Sequence, residues 1–263
     1  MSQPSVAQTV GFAAGLCFVC SLFVAGSAVG LKPMQDANKL LDRRKTILTA
    51  AGLMAGADAP KDAEAINALF GERINPLLVD IAEGKAYAGG DLDAATYDQG
   101  KAAKDPATST EAPDNKAKVL RMPKVGTIYQ VLDDGGATKQ LILPIEGKGL
   151  WGTMKGFVCV EKDLQTICGI KFYEHIETPG LGGEVDNPSW MALWPGRQIY
   201  DGDAVAIKVI KGKAGDTTAA PYDVDGLSGA TLTSNGVTNT LQYWLGDSGW
   251  GPYLQNLKAG SAG

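Results

Sequence analysis

Between Gly11 and Leu31 the chain runs for 21 residues without a charged side chain. At 1.5 Å per residue a helix of that length spans about 30 Å, the thickness of a hydrocarbon core. A helix also satisfies its own backbone polar groups, as such a core demands. The run is therefore predicted to be one membrane-spanning helix over residues 11–31, preceded by a tail at 1–10. A cleaved signal peptide competes with this reading, but it would want a basic leader, and the first Lys or Arg is Lys32. Cys17 and Cys20 fall inside the run at i and i+3 and are read as small apolar side chains, not as a metal or redox pair. Lys32, Lys39, Arg43, Arg44 and Lys45 follow the run. Taken alone, the positive-inside rule puts them, and all that follows, in the cytoplasm.

The remainder of the 263 residues has room for one large globular domain. A net charge of −5 argues against nucleic acid as a partner. Residues 34–54 read as a helix, with Leu40, Leu41, Ile47, Leu48 and Leu53 as apolar positions, broken at Gly56 to Pro60. Residues 62–86 read as a second helical stretch. Ile66, Leu69, Phe70, Ile74, Leu77, Leu78 and Ile81 form its stripe, and Pro76 kinks or divides it. The polar, small-residue stretch 88–117 reads as a linker. Residues 32–117 are thus expected to be helical segments and linker, and 118–263 the main domain. Strands are predicted at 128–132, 140–143, 156–160, 166–173 and 205–210, and helices at 188–193 and 234–245. Strands so close in sequence imply an antiparallel sheet in an α+β domain. Cys159 and Cys168 flank a polar turn at Asp163-Leu164 that sets them opposite each other. Buried thiols and a cross-strand disulfide are both open on this spacing.

Two motifs carry the chemistry. Asp225-Gly-Leu-Ser-Gly-Ala-Thr231-Leu-Thr-Ser234 holds no histidine, cysteine or lysine, so it is neither a metal site nor an obvious nucleophile. Gly226 and Gly229 permit unusual backbone angles and close approach. Leu232, Val237, Leu241, Trp244 and Leu245 then recur at roughly helical spacing, so Thr231 sits near a helix start, where free N–H groups favour a phosphate. From spacing alone a glycine turn followed by an N-cap accounts for the same residues. The second motif is Glu177-Thr-Pro-Gly-Leu-Gly182, a rigid loop that from sequence alone reads equally as an ordinary Pro-Gly turn without a ligand, with His175 before it read as structural or exposed and given no catalytic role. No Walker-type loop and no Gly-x-Gly-x-x-Gly after a strand is visible, so NADH is not expected to bind here. The soluble part has no His-rich or Cys-x-x-Cys pair, so no metal is expected either.

Asp225-x-x-Ser228-Gly229-Ala230-Thr231 resembles the flavinylation motif read by ApbE-type flavin transferases. The uncharged segment, Gly152-Thr-Met-Lys-Gly156, His175 to Gly182 and Ser228 to Ser234 follow in an order similar to the NqrC family, the C subunits of Na(+)-translocating NADH:quinone reductases. The resemblance implies FMN joined to Thr231 by a phosphoester bond. Ser228, Gly229, Ala230, Leu232 and Thr233 would flank it, and Glu177, Thr178, Leu181 and Gly182 would face the ring, with Trp151 and Lys208 as further neighbours. It implies an electron-relay component of an inner-membrane complex that couples electron transfer from NADH to ubiquinone with sodium export. It also implies partner subunits, a flavin transferase for maturation, lipid around the anchor, and a domain on the periplasmic side, opposite to the charge rule; we follow the resemblance. The G-type component of the Rnf complex resembles the chain at both motifs, but the 34–86 segment and the greater length favour the quinone reductase. A membrane-anchored assembly module without flavin is the alternative from another class.

Overall fold

The computed structural model describes residues 5–54, 56 and 59–260. They fall into two units, one up to Arg43 and one from Arg44 onward. Helix α1 (Val6–Ala50) runs without interruption through Pro33. At 1.5 Å per residue its 45 residues extend about 68 Å. The expected tail is therefore already helical from Val6, residues 1–4 lie outside the described residues, and the two helices expected at 11–31 and 34–54 are one. Phe12, Phe18, Leu22 and Phe23 are all more than half exposed on it, a surface that only lipid or a partner helix accommodates. The helix is long and apolar enough to cross a membrane. It ends where a C-terminal glycine lets the chain turn left-handed. Gly52 has φ 74°, its N–H reaches Thr49 O and that of Leu53 reaches Leu48 O.

The second unit is a mixed α+β domain. Helix α2 (Ala63–Arg73), capped by the Asp62 carboxylate on the Ala65 N–H, leads directly into strand β1 (Ile74–Asp80), and β2 (Lys85–Ala86) turns back on its end. The expected helix over 62–86 is corrected here: it stops at Arg73. Pro76 disfavours a helical Asn75. Because β2 covers only Val79 and Asp80, the proline sits on an open sheet edge, where its missing N–H breaks no ladder. The expected linker is also structured. Helix α3 (Gln99–Lys104) and strand β3 (Ser109–Glu111), paired with β4 (Arg121–Pro123), lie within it. Tyr97 Oη donates to Val125 O and the Gln99 side chain accepts from Thr127 N. The folded unit thus begins at Arg44, and not at residue 118.

Strands β5 (Val125–Leu132), β6 (Thr138–Lys148), β7 (Thr153–Glu161) and β8 (Ile167–Glu174) complete a six-stranded antiparallel sheet of order β2-β1-β5-β6-β7-β8. Beyond it come a short 3-10 turn (Gly182–Asp186), helix α4 (Pro188–Met191) and the paired β9 (Tyr200–Asp201) and β10 (Ala204–Val205). Strands β11 (Lys208–Val209) and β12 (Asp223–Val224) pair in parallel, and helices α5 (Thr231–Trp244) and α6 (Gly251–Lys258) close the chain. The strand expected at 205–210 is split between β10 and β11. Helix α5 lies on β6 so closely that a Cβ on Gly236 would stand 2.5 Å from Lys148 O and one on Gly147 2.0 Å from Thr240 Oγ1. Trp244 and Trp250 donate their indole N–H groups to the carbonyls of Glu146 and Pro144. On the other face Phe70, Tyr129, Phe157 and Tyr173 form a run of ring contacts, and a Cβ on Gly169 would meet Ala50 O at 2.5 Å.

Cys159 and Cys168 are joined by a disulfide across β7 and β8, their Cα atoms 5.1 Å apart; Cys17 and Cys20 are free. The bridge spans only nine positions of sequence, so its removal is expected to cost about 2–3 kcal/mol by the loop-closure relation. A Cys159→Ala/Cys168→Ala variant should lower the denaturant midpoint of the domain, and a reductant should lower the wild-type midpoint comparably. An unchanged midpoint in both would show that the bridge contributes nothing.

Candidate functional site

Thr231 opens α5 and is exposed. Gly229, at φ 72°, turns the chain into the helix, and Ala230 occupies the N-cap with no side-chain bond. The first amides of α5 therefore lack the side-chain acceptor that Ser, Thr or Asp would supply. Ser234 braces this turn from one helical step on, its Oγ accepting the Leu227 N–H at 3.1 Å. Ser228 and Gly229 are exposed, and Ala230 is buried.

Thr231 lies at a cleft of about 450 Å³ lined by residues 209–213, 225–229, Thr231, Ser234 and Asn235. Lys211 and Lys213 belong to that lining, although the sequence does not single them out. Lys208, named from the sequence, pairs instead with Asp223 at 3.5 Å. No local pattern marks the two lysines, because the parallel pairing of β11 with β12 brings their loop beside the motif.

The second motif meets the first through a buried carboxylate. Glu177 is 5% exposed and accepts N–H bonds from Trp151 at 2.9 Å and Leu150 at 3.2 Å, and a hydroxyl bond from Thr233. Burial raises its pKa, but the bonds from Thr233, Trp151, Leu150 and Gly152 together outweigh burial and hold it below the ordinary carboxylate range. Gly182 is obligatory at this junction, since a Cβ there would lie 2.5 Å from Thr233 Oγ1 and 2.8 Å from Glu177 Oε2. Thr233 and Glu177 thus use their polar atoms inside the protein. Thr178 Oγ1 accepts from Trp151 Nε1 at 3.0 Å, and Leu181 leans on Gly229, whose Cβ would come within 3.0 Å of Leu181 Cδ2. His175 Nε2 lies 3.4 Å from Asp186 Oδ2.

These junctions gather an apolar surface. Leu150 (42% exposed), Trp151 (61%), Ile176 (69%), Leu181 (43%) and Leu232 (60%) belong to the three segments tied together at Glu177 and Gly229. Such a surface beside a polar cleft suits a ligand with a flat apolar part and an anionic tail.

Residues 149–246 match the family described as FMN-binding domain, and that span takes in Trp151, the Glu177–Gly182 loop, the two lysines and Thr231. The chain is 46% identical over 263 residues to the C subunit of the Na(+)-translocating NADH-quinone reductase of Vibrio vulnificus, covering 98% of each protein. It is 45% identical over 265 residues to the protein of that name from Pseudomonas aeruginosa, with 99% of each covered. The fold is similar to the crystal structure of Shewanella oneidensis NqrC at a TM-score of 0.77 and 32% identity, covering 85% of this chain and 99% of that one. The crystal structure of the same component from Parabacteroides distasonis is similar at a TM-score of 0.63 and 28% identity, covering 85% of this chain and 96% of that one. By 45–46% identity over nearly the full length of its relatives, and with the fold in agreement, the chain belongs to the NqrC family, the C subunits of Na(+)-translocating NADH-quinone reductases.

Proposed function

We propose that this chain is the FMN-carrying electron-relay component of a membrane Na(+)-translocating NADH:quinone reductase, with the flavin joined to Thr231 through its phosphate. The observation that carries the reading is the exposed Thr231 hydroxyl at an uncapped helix start, beside a cleft and an apolar surface. The residues fit the group. Thr231 supplies the oxygen, the first α5 amides can donate to phosphate oxygens, and Leu181, Leu232 and Trp151 offer apolar contact to a ring. Thr178 adds a hydroxyl at the same edge. Bound flavin supplies reversible electron transfer; the chain's own part is to hold it in place. NADH oxidation and quinone reduction belong to partner subunits, and a flavin transferase makes the attachment. Mass spectrometry of the peptide containing Thr231, from protein coproduced with a flavin transferase, is expected to place one FMN on that residue. An unmodified Thr231 in a yellow protein would overturn the assignment.

The anchor reading puts residues 11–31 in the bacterial inner membrane, in contact with lipid and partner subunits, and the domain on the periplasmic side. The family resemblance motivates that side, and the Cys159–Cys168 disulfide supports it, since such bridges persist in oxidising compartments. The cations after Leu31 oppose it. Protease added to spheroplasts is expected to digest the domain and spare cytoplasmic controls. Full protection of the domain would mean that the charges decide the orientation.

A further inference from the structure

Asp225 begins the flavinylation motif and lines the same cleft as Thr231, and one of its carboxylate oxygens holds the 208–214 segment. Oδ1 accepts the Ala214 N–H at 2.8 Å. Its neighbour Gly226 donates to Gly212 O at 2.8 Å and packs so tightly on the same segment that a Cβ would come within 2.2 Å of Ile210 O. Ile210 N in turn donates to Val224 O at 2.9 Å, just beyond the parallel pairs Lys208↔Asp223 and Val209↔Val224. Residues 208–214 are thus zipped along 223–226, and Lys211 and Lys213 become part of the cleft wall shared with Ser228 and Thr231. Among the described residues neither lysine has a carboxylate partner within 4.0 Å.

We propose that Asp225 and Gly226 are positioning residues. They clamp the 208–214 segment so that Lys211 and Lys213 supply the counter-charge for the phosphoryl group joined to Thr231. This rests on the flavin reading above. In the transfer, the Thr231 oxygen bonds to the flavin-side phosphorus of a flavin dinucleotide and the phosphoanhydride bond breaks. Adenylate leaves with the electron pair, and the hydroxyl proton is released. The diester formed keeps one negative charge, and the two ammonium groups stand on the wall beside it. On this view the motif's aspartate acts on Thr231 through a loop that lies outside the motif.

The test uses the full chain in detergent, unmodified, with two readouts: trypsin cleavage after Lys211 and Lys213, and the initial rate of modification by a purified flavin transferase supplied with flavin dinucleotide. Asp225→Ala removes the acceptor and Gly226→Ala forces Ile210 away. Each is expected to raise cleavage and slow modification, both by about tenfold, the scale of one lost hydrogen bond to a charged group. Asp225→Asn keeps an acceptor oxygen and is expected to restore most of both. The Lys211→Ala/Lys213→Ala variant is expected to slow modification and to remove the fall in rate with rising salt that the wild type should show. Lys211→Arg/Lys213→Arg should recover it. The proposal is overturned if Asp225→Asn blocks modification while its tryptic protection stays intact and Gly226→Ala is modified normally; the transferase would then read the carboxylate itself. It is overturned equally if the double alanine variant is modified at the wild-type rate and salt dependence. A wild type that is never modified would instead remove the flavin reading, and this inference with it, whatever the cleavage rates.

Discussion

Thr231→Ala is expected to abolish covalent flavin altogether. The variant should show no fluorescence in a denaturing gel and the unmodified mass, because on the proposed reading Thr231 alone supplies the phosphoester oxygen. The fold should survive. Thr231 is exposed, and among the described residues its hydroxyl makes no hydrogen bond and caps no helix. A surface change of this kind falls within about ±0.5 kcal/mol. Thr231→Ser keeps the hydroxyl and should retain some attachment. Thr233→Ala is the contrasting case two residues on. Its hydroxyl is fully buried against Glu177, so its loss should cost about 1–3 kcal/mol and leave the folded protein fluorescent. Fluorescence that persists in Thr231→Ala and disappears in Thr233→Ala would reverse the assignment.

The second large effect is expected at Glu177. Truncation to Ala leaves the Thr233 hydroxyl and the amides of Leu150 and Trp151 without their acceptor at a buried junction. Breaking a buried charged network of this kind costs about 3–5 kcal/mol. The three segments that gather the apolar surface should then loosen together, lowering the denaturant midpoint and disturbing the absorbance of any bound flavin. Its pH signature follows from the depressed pKa. A group held below its unfolded value stabilises the fold fully above that unfolded value, and the stabilisation is lost as pH falls through the folded value. Wild-type stability should therefore fall on acidification below the ordinary glutamate range, and Glu177→Gln should lack that part of the slope. A loss under about 1 kcal/mol in Glu177→Ala, with an unaltered acid slope in Glu177→Gln, would show that the junction is held by packing alone.

The apolar helix was legible because 21 residues run without a charge at a length that suits a hydrocarbon core. Strands β5 to β8 were legible because each pairs with its sequence neighbour, so short apolar runs and polar turns suffice to mark them. The turn before α5 was equally local: Gly229 and the apolar repeat after Thr231 describe it without distant partners, although the helix begins at Thr231, three residues before the expected start.

Other features depended on partners remote in sequence. Ile74, Leu77, Leu78 and Ile81 have helical spacing, yet the first three lie on strand β1 and Ile81 in the turn after it. The strand's pairing with β5, from Ile74↔Val131 to Asp80↔Val125, outweighs that periodicity, and Pro76 disfavours a helical Asn75. Residues 97–99 looked like linker because their polar side chains bond to backbone near Val125 and Thr127, contacts that hydrophobic patterning does not register. Likewise the buried Glu177 binds donors at 150, 151 and 233, and the lysines at 211 and 213 reach the cleft only because β11 lies parallel to β12. The sequence by itself determined the apolar helix, the hairpin sheet and the hydroxyl at a helix start, since neighbouring residues dictate each of them. Tertiary structure alone decided what surrounds that hydroxyl, because the carboxylate, apolar side chains and ammonium groups there come from segments that meet only once the chain has folded.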